Sequence, residues 1–203
     1  LIGQRLWKGR EDDLGLPPGV FLAEALQGVE YFLGMQDPQT GMVYHNVGGG
    51  RESFHDNLDN RYTDNVPRSG DERRICPRPA TPAAKCTTLF ALYADALRDA
   101  DPDRAARCLA AARKSAEYDL ANPDDSADAL QWRAWGFLEM WRSTRDDAHR
   151  SAAVEAMRRL LDLQVTDFVG GQKLTRGFFR AGADRPGYHH KHAGADYPIW
   201  VLA

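Results

Sequence analysis

Residues 126–143 read SADALQWRAWGFLEMWRS, a string that leaves almost no continuous polar face on a helix. Leu130, Trp132, Ala134, Trp135, Phe137, Leu138, Met140 and Trp141 spread around nearly every side. A helix that is apolar all round is stable in water only when neighbours cover it on more than one side. The spacing therefore predicts a helix over 126–143 inside a helical layer, and the rest of the chain must supply its cover.

The flanking sequence has the periodicity to do so. Over 82–99, Cys86, Leu89, Phe90, Tyr93, Ala96 and Leu97 share one side. Asp101 followed by Pro102 is a start signal, an N-cap acid with proline at the first helical position. The helix it opens is expected to bury Ala105, Leu109, Ala112, Ala116 and Leu120. Thr144 with Asp147 resembles a capping box for a further helix burying Val154, Met157, Leu160 and Leu161. Upstream, Leu22, Ala25, Leu26, Val29, Phe32, Leu33 and Gln36 recur at helical spacing. Pro17–Pro18 suits the start of that helix, and Asp37–Pro38 ends it, which gives a helix over 18–36. Two stretches lack a sustained apolar period: 46–80, read as a long ordered surface loop, and the glycine-rich chain beyond Gln164, with a strand or hairpin around QKLTRGFFRA at 172–181. The fold class is all-α, with antiparallel helices alternating with long polar loops. Helix pairs closing into a ring or stacking as a solenoid both satisfy this pattern. No strict 33–47-residue repeat is present, and the covered helix favours the ring.

A net charge of −3 over 203 residues gives no electrostatic reason to expect nucleic acid or a membrane as partner. No apolar run approaches the roughly 18 residues of a membrane span. Cys86 and Cys108 fall on apolar helical faces, where buried free thiols are expected, and a disulfide from Cys76 to either stays open. The glycines at 48–50 lack a strand–loop–helix context and read as a hinge. The acidic strings at 11–13, 54–60 and 122–128 read first as solvated loops, caps or helix starts. An intrinsic catalytic carboxylate pair would be Asp56 and Asp59. Tyr44 and His45, directly after the first helix, are either rim residues or sugar contacts, since aromatic rings stack on a sugar's apolar face and imidazole bonds its hydroxyls. The string GYHHKHAGADYP at 187–198 reads as a loop entering a new helix, with His189, His190 and Asp196 lining a cleft. Its alternative is a metal held by the His-x-His pair His190 and His192. Arg73 and Arg74 serve either a salt bridge or the same cleft.

At FLAEALQGVEYFLGMQDPQTGMVYHNV the chain resembles the (α/α)6-barrel cellulases of glycoside hydrolase family 9. Glu24, Gly28, Glu30, Met35–Gln36, Gly41, Tyr44 and His45 stand in the order that family keeps at an early barrel helix. The segment ERRICPRPATPAAKCTTLFALYADALRDADPDRAARCLAAARKSAEY is similar to the family's next helices, and the resemblance covers most of 18–163. It implies an α/α toroid of the (α/α)6-barrel type, partial, with about half of the barrel helices and long loops at one end. Residues 1–203 would then be part of one catalytic domain extending past both ends. The implied activity is inverting hydrolysis of β-glucan or cellulose-type polysaccharides. The family's DAGD-type aspartate pair and acidic glutamate motif do not occur in this sequence, so catalysis would use residues outside it. The resemblance implies substrate contacts at Tyr44, His45, Arg73, His189, His190 and Asp196, an oligosaccharide or polysaccharide as partner, secretion, and no cofactor apart from a structural calcium. The HHK at 189–191 lies earlier than the family's HHR motif. An open half-barrel would expose inner-helix surface, which predicts aggregation or dimerisation. Two other readings fit the residues: another α/α-toroid sugar enzyme, a glucuronyl hydrolase or an epimerase using His189 and His190 for proton transfer, and a non-catalytic helical-repeat interaction module.

Overall fold

A computed structural model describes residues 1–45, 47–48, 74–75, 79–80, 82–166 and 177–188. Among them the chain is mostly helical: α1 (Ile2–Trp7), a 3-10 turn (Glu11–Leu14), α2 (Val20–Gly34), α3 (Ala84–Leu97), α4 (Pro102–Ala121), α5 (Ala127–Thr144) and α6 (Asp147–Asp162). Two small antiparallel ribbons complete it, β1 (Val47–Gly48) with β2 (Arg74–Ile75) and β3 (Arg180–Gly182) with β4 (Arg185–Tyr188).

The predicted cover for the apolar helix is present. Helix α5 packs against α6, against α3 and, over a smaller area, against α4, while α3 also packs closely on α4. The α3–α4 and α5–α6 hairpins thus lie side by side, with α3 and α5 as the covered pair. This is the all-α arrangement expected of part of an α/α toroid. A central core of Met35, Val43, Cys86, Phe90, Ala91, Ala111, Ala112, Phe137, Met140 and Ala153 joins α2's exit to all four helices. A second cluster sets Val29 of α2 on Tyr93, Leu97, Ala105 and Cys108. Both described cysteines are buried and free, as expected. Burial pushes the Cys86 thiol up to about 12 and the Cys108 thiol up to about 11, so neither supplies a thiolate near neutrality. Cys76 lies outside the described residues.

The caps are local and specific. Asp101 accepts from the Arg104 amide (3.0 Å) with Pro102 behind it, and Ser126 accepts from the Ala129 amide (3.2 Å). The expected Thr144 capping box does not form. Asp146 caps α6 through the Ala148 amide (2.9 Å), while Thr144 turns its hydroxyl back to the Met140 carbonyl (2.8 Å). The 18–36 helix is shorter than expected, because Gly19 at φ +75° precedes its first turn. The ends of the expected 46–80 loop pair as a ribbon, Val47 opposite Ile75 and Gly48 opposite Arg74. The C-terminal hairpin pairs β3, which begins within the expected 172–181 span, with β4, while residues 172–176 lie outside the described residues.

The buried stripe of α4 also differs from the expected one. Leu120 is 56% exposed, whereas Ala105, Cys108, Ala112, Ser115 and Asp119 face inward. Asp119 is turned in to meet Arg133 of α5, at 2.5 Å (Nε to Oδ2) and 3.1 Å (Nη2 to Oδ1), with both side chains almost fully buried. Val154 and Leu161 of α6 likewise stand at the surface, and Ala153, Ala156 and Leu160 make its contact.

Replacing Arg133 by Met should cost about 3–5 kcal/mol in urea denaturation, because it strands the buried Asp119 carboxylate. The Asp119→Leu, Arg133→Met double variant should recover most of that loss. A double variant as unstable as the single one would show that the packing of Arg133, and not its charge, is what matters.

Candidate functional site

The segment after α2 is folded by its own side chains. Asp37 ends the helix and its Oδ1 accepts from the amides of Gln39 (2.9 Å) and Thr40 (2.8 Å) and from the Thr40 hydroxyl (3.1 Å), an aspartate-centred turn. Its other oxygen accepts from the Tyr44 hydroxyl (3.0 Å). The Thr40 amide, followed by the Tyr44 hydroxyl and the Gln39 amide, holds the Asp37 carboxyl below the usual aspartate range, and Asp37 in turn raises the Tyr44 phenol.

Helix α4 fastens the turn from outside. Gln36 donates to the Ala111 carbonyl (2.8 Å) and the Ser115 hydroxyl (2.9 Å), and Lys114 donates to the Pro38 carbonyl (3.0 Å). Gly41, at φ +77°, lies so close to α4 that a Cβ there would stand 2.3 Å from the Lys114 carbonyl oxygen. The chain then runs back along itself: Val43 bridges Gln36, and Tyr44 bridges Pro79 just before α3.

This geometry places Tyr44 half-buried, with its ring against the central core, and His45 exposed one residue later. Tyr44's hydroxyl is engaged by Asp37, so an incoming group would meet the ring rather than a free phenol. The turn stands at the end of the hairpins where the chain enters α3 and α5. The long 46–80 segment departs there, and the β3–β4 ribbon follows α6 at the same end, joined through the Gln164–Phe179 bridge. The first turns of α3 and α5 add an ion pair, Lys85 to Asp128 (3.3 Å), beside Trp132, whose indole N–H also reaches Asp128 (3.2 Å). Arg73, Asp56, Asp59, His189, His190, His192 and Asp196 lie outside the described residues. Of the candidate residues, the structure therefore brings Tyr44 and His45 together, by adjacency in the chain.

Sequence reasoning singled out neither the anchors Lys114 and Ser115 nor the two acids buried in the helices. Glu139 is held bidentately by Arg5 of α1 (2.8 and 2.7 Å) and by the Trp135 indole (3.0 Å), and Asp119 by Arg133. Both carboxylates are engaged by guanidinium groups inside the helical layer. The only advance signal was their spacing, four residues from Trp135 to Glu139 and fourteen from Asp119 to Arg133. Among the described residues no group of three or more His, Cys, Asp or Glu side chains is placed to hold a metal.

No protein-family model matches the chain, and no curated protein matches it. Among solved structures it is similar to a single mutant of a thermostable endoglucanase from Alicyclobacillus acidocaldarius, at 24% identity and a TM-score of 0.47, over 64% of this chain and 26% of that one. The matched region spans about a quarter of that endoglucanase.

Two outcomes follow from the turn. Gly41→Ala should destabilise the fold by about 2–4 kcal/mol, adding left-handed strain to a backbone clash. Gly19→Ala, with positive φ but open space, should show the strain alone; equal losses would remove the close approach from the explanation. Tyr44→Phe should raise the Asp37 pKa toward its ordinary value, read by carboxyl-carbon NMR titration. Because the folded carboxyl titrates below the unfolded one, its contribution is complete above the unfolded pKa and disappears as pH falls through the folded one. The variant should therefore lose that contribution at higher pH, and an unchanged Asp37 midpoint would refute the Tyr44 hydrogen bond.

Proposed function

We propose that this chain is part of an α/α-toroid glycoside hydrolase domain of the family 9 cellulase type, acting on β-linked glucans. In this reading it forms one wall of the substrate groove, and the catalytic carboxylates stand outside it. The observation that carries the reading is that the residues of the resemblance are those that build the turn. Gln36 and Gly41 fasten the turn to α4, and Tyr44 and His45 follow it at the end of the hairpins where the long segments leave.

The chemistry suits a sugar. A pyranose offers one apolar face and several hydroxyls, and the exposed imidazole of His45 can bond a hydroxyl beside the Tyr44 ring. Inverting hydrolysis needs one protonated and one ionised carboxyl about 6.5–9.5 Å apart. Asp119 and Glu139, both tied to arginines, do not fit that role, which is consistent with a pair supplied from elsewhere. Arg73, His189, His190 and Asp196 belong to the same proposed groove, with no metal or cofactor in the chemical step. Secretion is part of this reading. No described helix is long and apolar enough to cross a membrane.

Isothermal calorimetry with cellotetraose tests the reading. The wild-type chain should bind, and His45→Ala should weaken binding about fivefold, the worth of one hydrogen bond of about 1 kcal/mol. The chain alone should release no reducing ends. A folded chain that binds no cello-oligosaccharide would refute the groove.

A further inference from the structure

One histidine sits at the junction of α4, α5 and α6. His149 is the third residue of α6, half-buried behind the Asp146 cap. Its ring stacks on Phe137 of α5, with ring centres 6.2 Å apart and planes 29° from parallel. Its Nδ1 lies 3.0 Å from the Thr144 hydroxyl. Phe137 belongs in turn to the central core, with Ala111 and Ala112 of α4.

The hydrogen bonds around Thr144 fix the tautomer of this imidazole. A carbonyl oxygen can only accept, so the single hydroxyl proton of Thr144 lies on the Met140 carbonyl, at 2.8 Å. The Thr144 oxygen then accepts from the Asp146 amide (3.2 Å) and has one lone pair left for His149. That lone pair calls for a donor, which puts the ring proton on Nδ1 and leaves Nε2 as the basic nitrogen. Free histidine prefers the opposite tautomer, with its proton on Nε2. The fold therefore imposes the state of this ring.

The same place opposes a charge on it. His149 lies in the first turn of α6, where unpaired amides and the helix dipole present partial positive charge. The charged groups that face the ring are Arg113 of α4 and Asp146 of the link, while α5 presents the uncharged Phe137 and Thr144. Burial is the main cause that lowers the His149 pKa; Asp146 works against the shift and Arg113 with it.

We infer that His149 is an acid-sensitive clip at the α5–α6 link. In the neutral ring Nδ1–H is bonded to Thr144 and the ring face covers Phe137, which seats the first turn of α6 on α5. A proton arriving from solvent adds to Nε2 and leaves the Thr144 bond in place, so the link keeps its path. The added charge stands half out of water, near Arg113 and at the positive end of α6. Acid thus loosens α6 from its neighbours without unmaking the turn. None of these residues belongs to the proposed groove.

Long-range proton–nitrogen NMR of the whole chain tests the tautomer. At about pH 7.5 Nδ1 of His149 should be protonated and Nε2 bare, and the ring should titrate below the ordinary histidine value of about 6.5. Thr144→Val removes the acceptor, so the proton should move to Nε2. Thermal melting tests the clip. Because the folded ring titrates below the unfolded one, its contribution is complete above the unfolded pKa and disappears as pH falls through the folded one. His149→Asn keeps an N–H donor where Nδ1 stood and cannot titrate. Between about pH 7 and about pH 5.5, above the carboxyl range, the wild-type melting temperature should fall by about 2 °C more than that of the variant. A purely structural histidine would leave the two pH profiles parallel. The clip is refuted by parallel profiles, by a wild-type ring protonated on Nε2, or by a midpoint at or above the ordinary value. An unchanged tautomer in Thr144→Val would also refute it, by removing Thr144 as the cause.

Discussion

The structure depends on how closely α3 can approach α5. Gly136 makes the approach: a Cβ there would stand 3.0 Å from Thr87 Cγ2 and 3.1 Å from the Thr88 amide. Across the same contact the Thr88 hydroxyl donates to the Trp132 carbonyl at 2.8 Å, joining the two helices through a polar group as well as through packing. With α3 and α5 this close, the apolar circumference of α5 is shared between α3 and the outer helices. Those contribute mainly alanines to the clusters that contain α5, Ala111, Ala112 and Ala116 from α4 and Ala153 and Ala156 from α6. Small residues on the covering helices let both hairpins close on one thin core.

A core of this kind holds one buried ion pair, Asp119–Arg133, and one buried acid, Glu139, met by the partly exposed Arg5, and these set orientation more than they add stability. Turning α4 to bury Leu120 would gain about 1.5–3 kcal/mol. It would also strand Arg133, which sits 5% exposed on α5, at a cost of about 3–5 kcal/mol. The charge wins, and the stripe of α4 rotates to bring Asp119 inward. Arg5 acts in the same way at the N-terminus. It joins α1 to Asp95 of α3 (2.9 Å) and to Glu139 of α5, while the apolar Leu6 of α1 stays 65% exposed. Helix α1 is thus placed by its polar face.

This competition explains which parts of the fold were legible in the sequence. The four helices from 84 to 162 follow from apolar period, and the Asp101–Pro102 start follows from cap chemistry, because both signals are local. The stripe of α4 was misjudged because Asp119 finds its partner fourteen residues away, on another helix. The start of α6 was misjudged because Thr144 and Asp146 are both competent caps, and only the return of Thr144 to Met140 decides between them. Helix α1 and the turn at Glu11–Leu14 are too short to show a period. At the candidate site, Tyr44 and His45 could be named from their place after a helix stop. That the Tyr44 phenol is bonded to Asp37 could not, since it depends on the path of the turn through Gly41 over α4.

The described links between successive helices from α3 to α6 are all short. Four residues join α3 to α4 and two join α5 to α6, so at that end the backbone must turn sharply and the side chains sit on short, fixed links. Arg145 shows what such a link demands: one residue takes the left-handed conformation. At the other end five residues join α4 to α5, and Asp37, Gly41 and the Tyr44–Pro79 bridge anchor the chain that leads from α2.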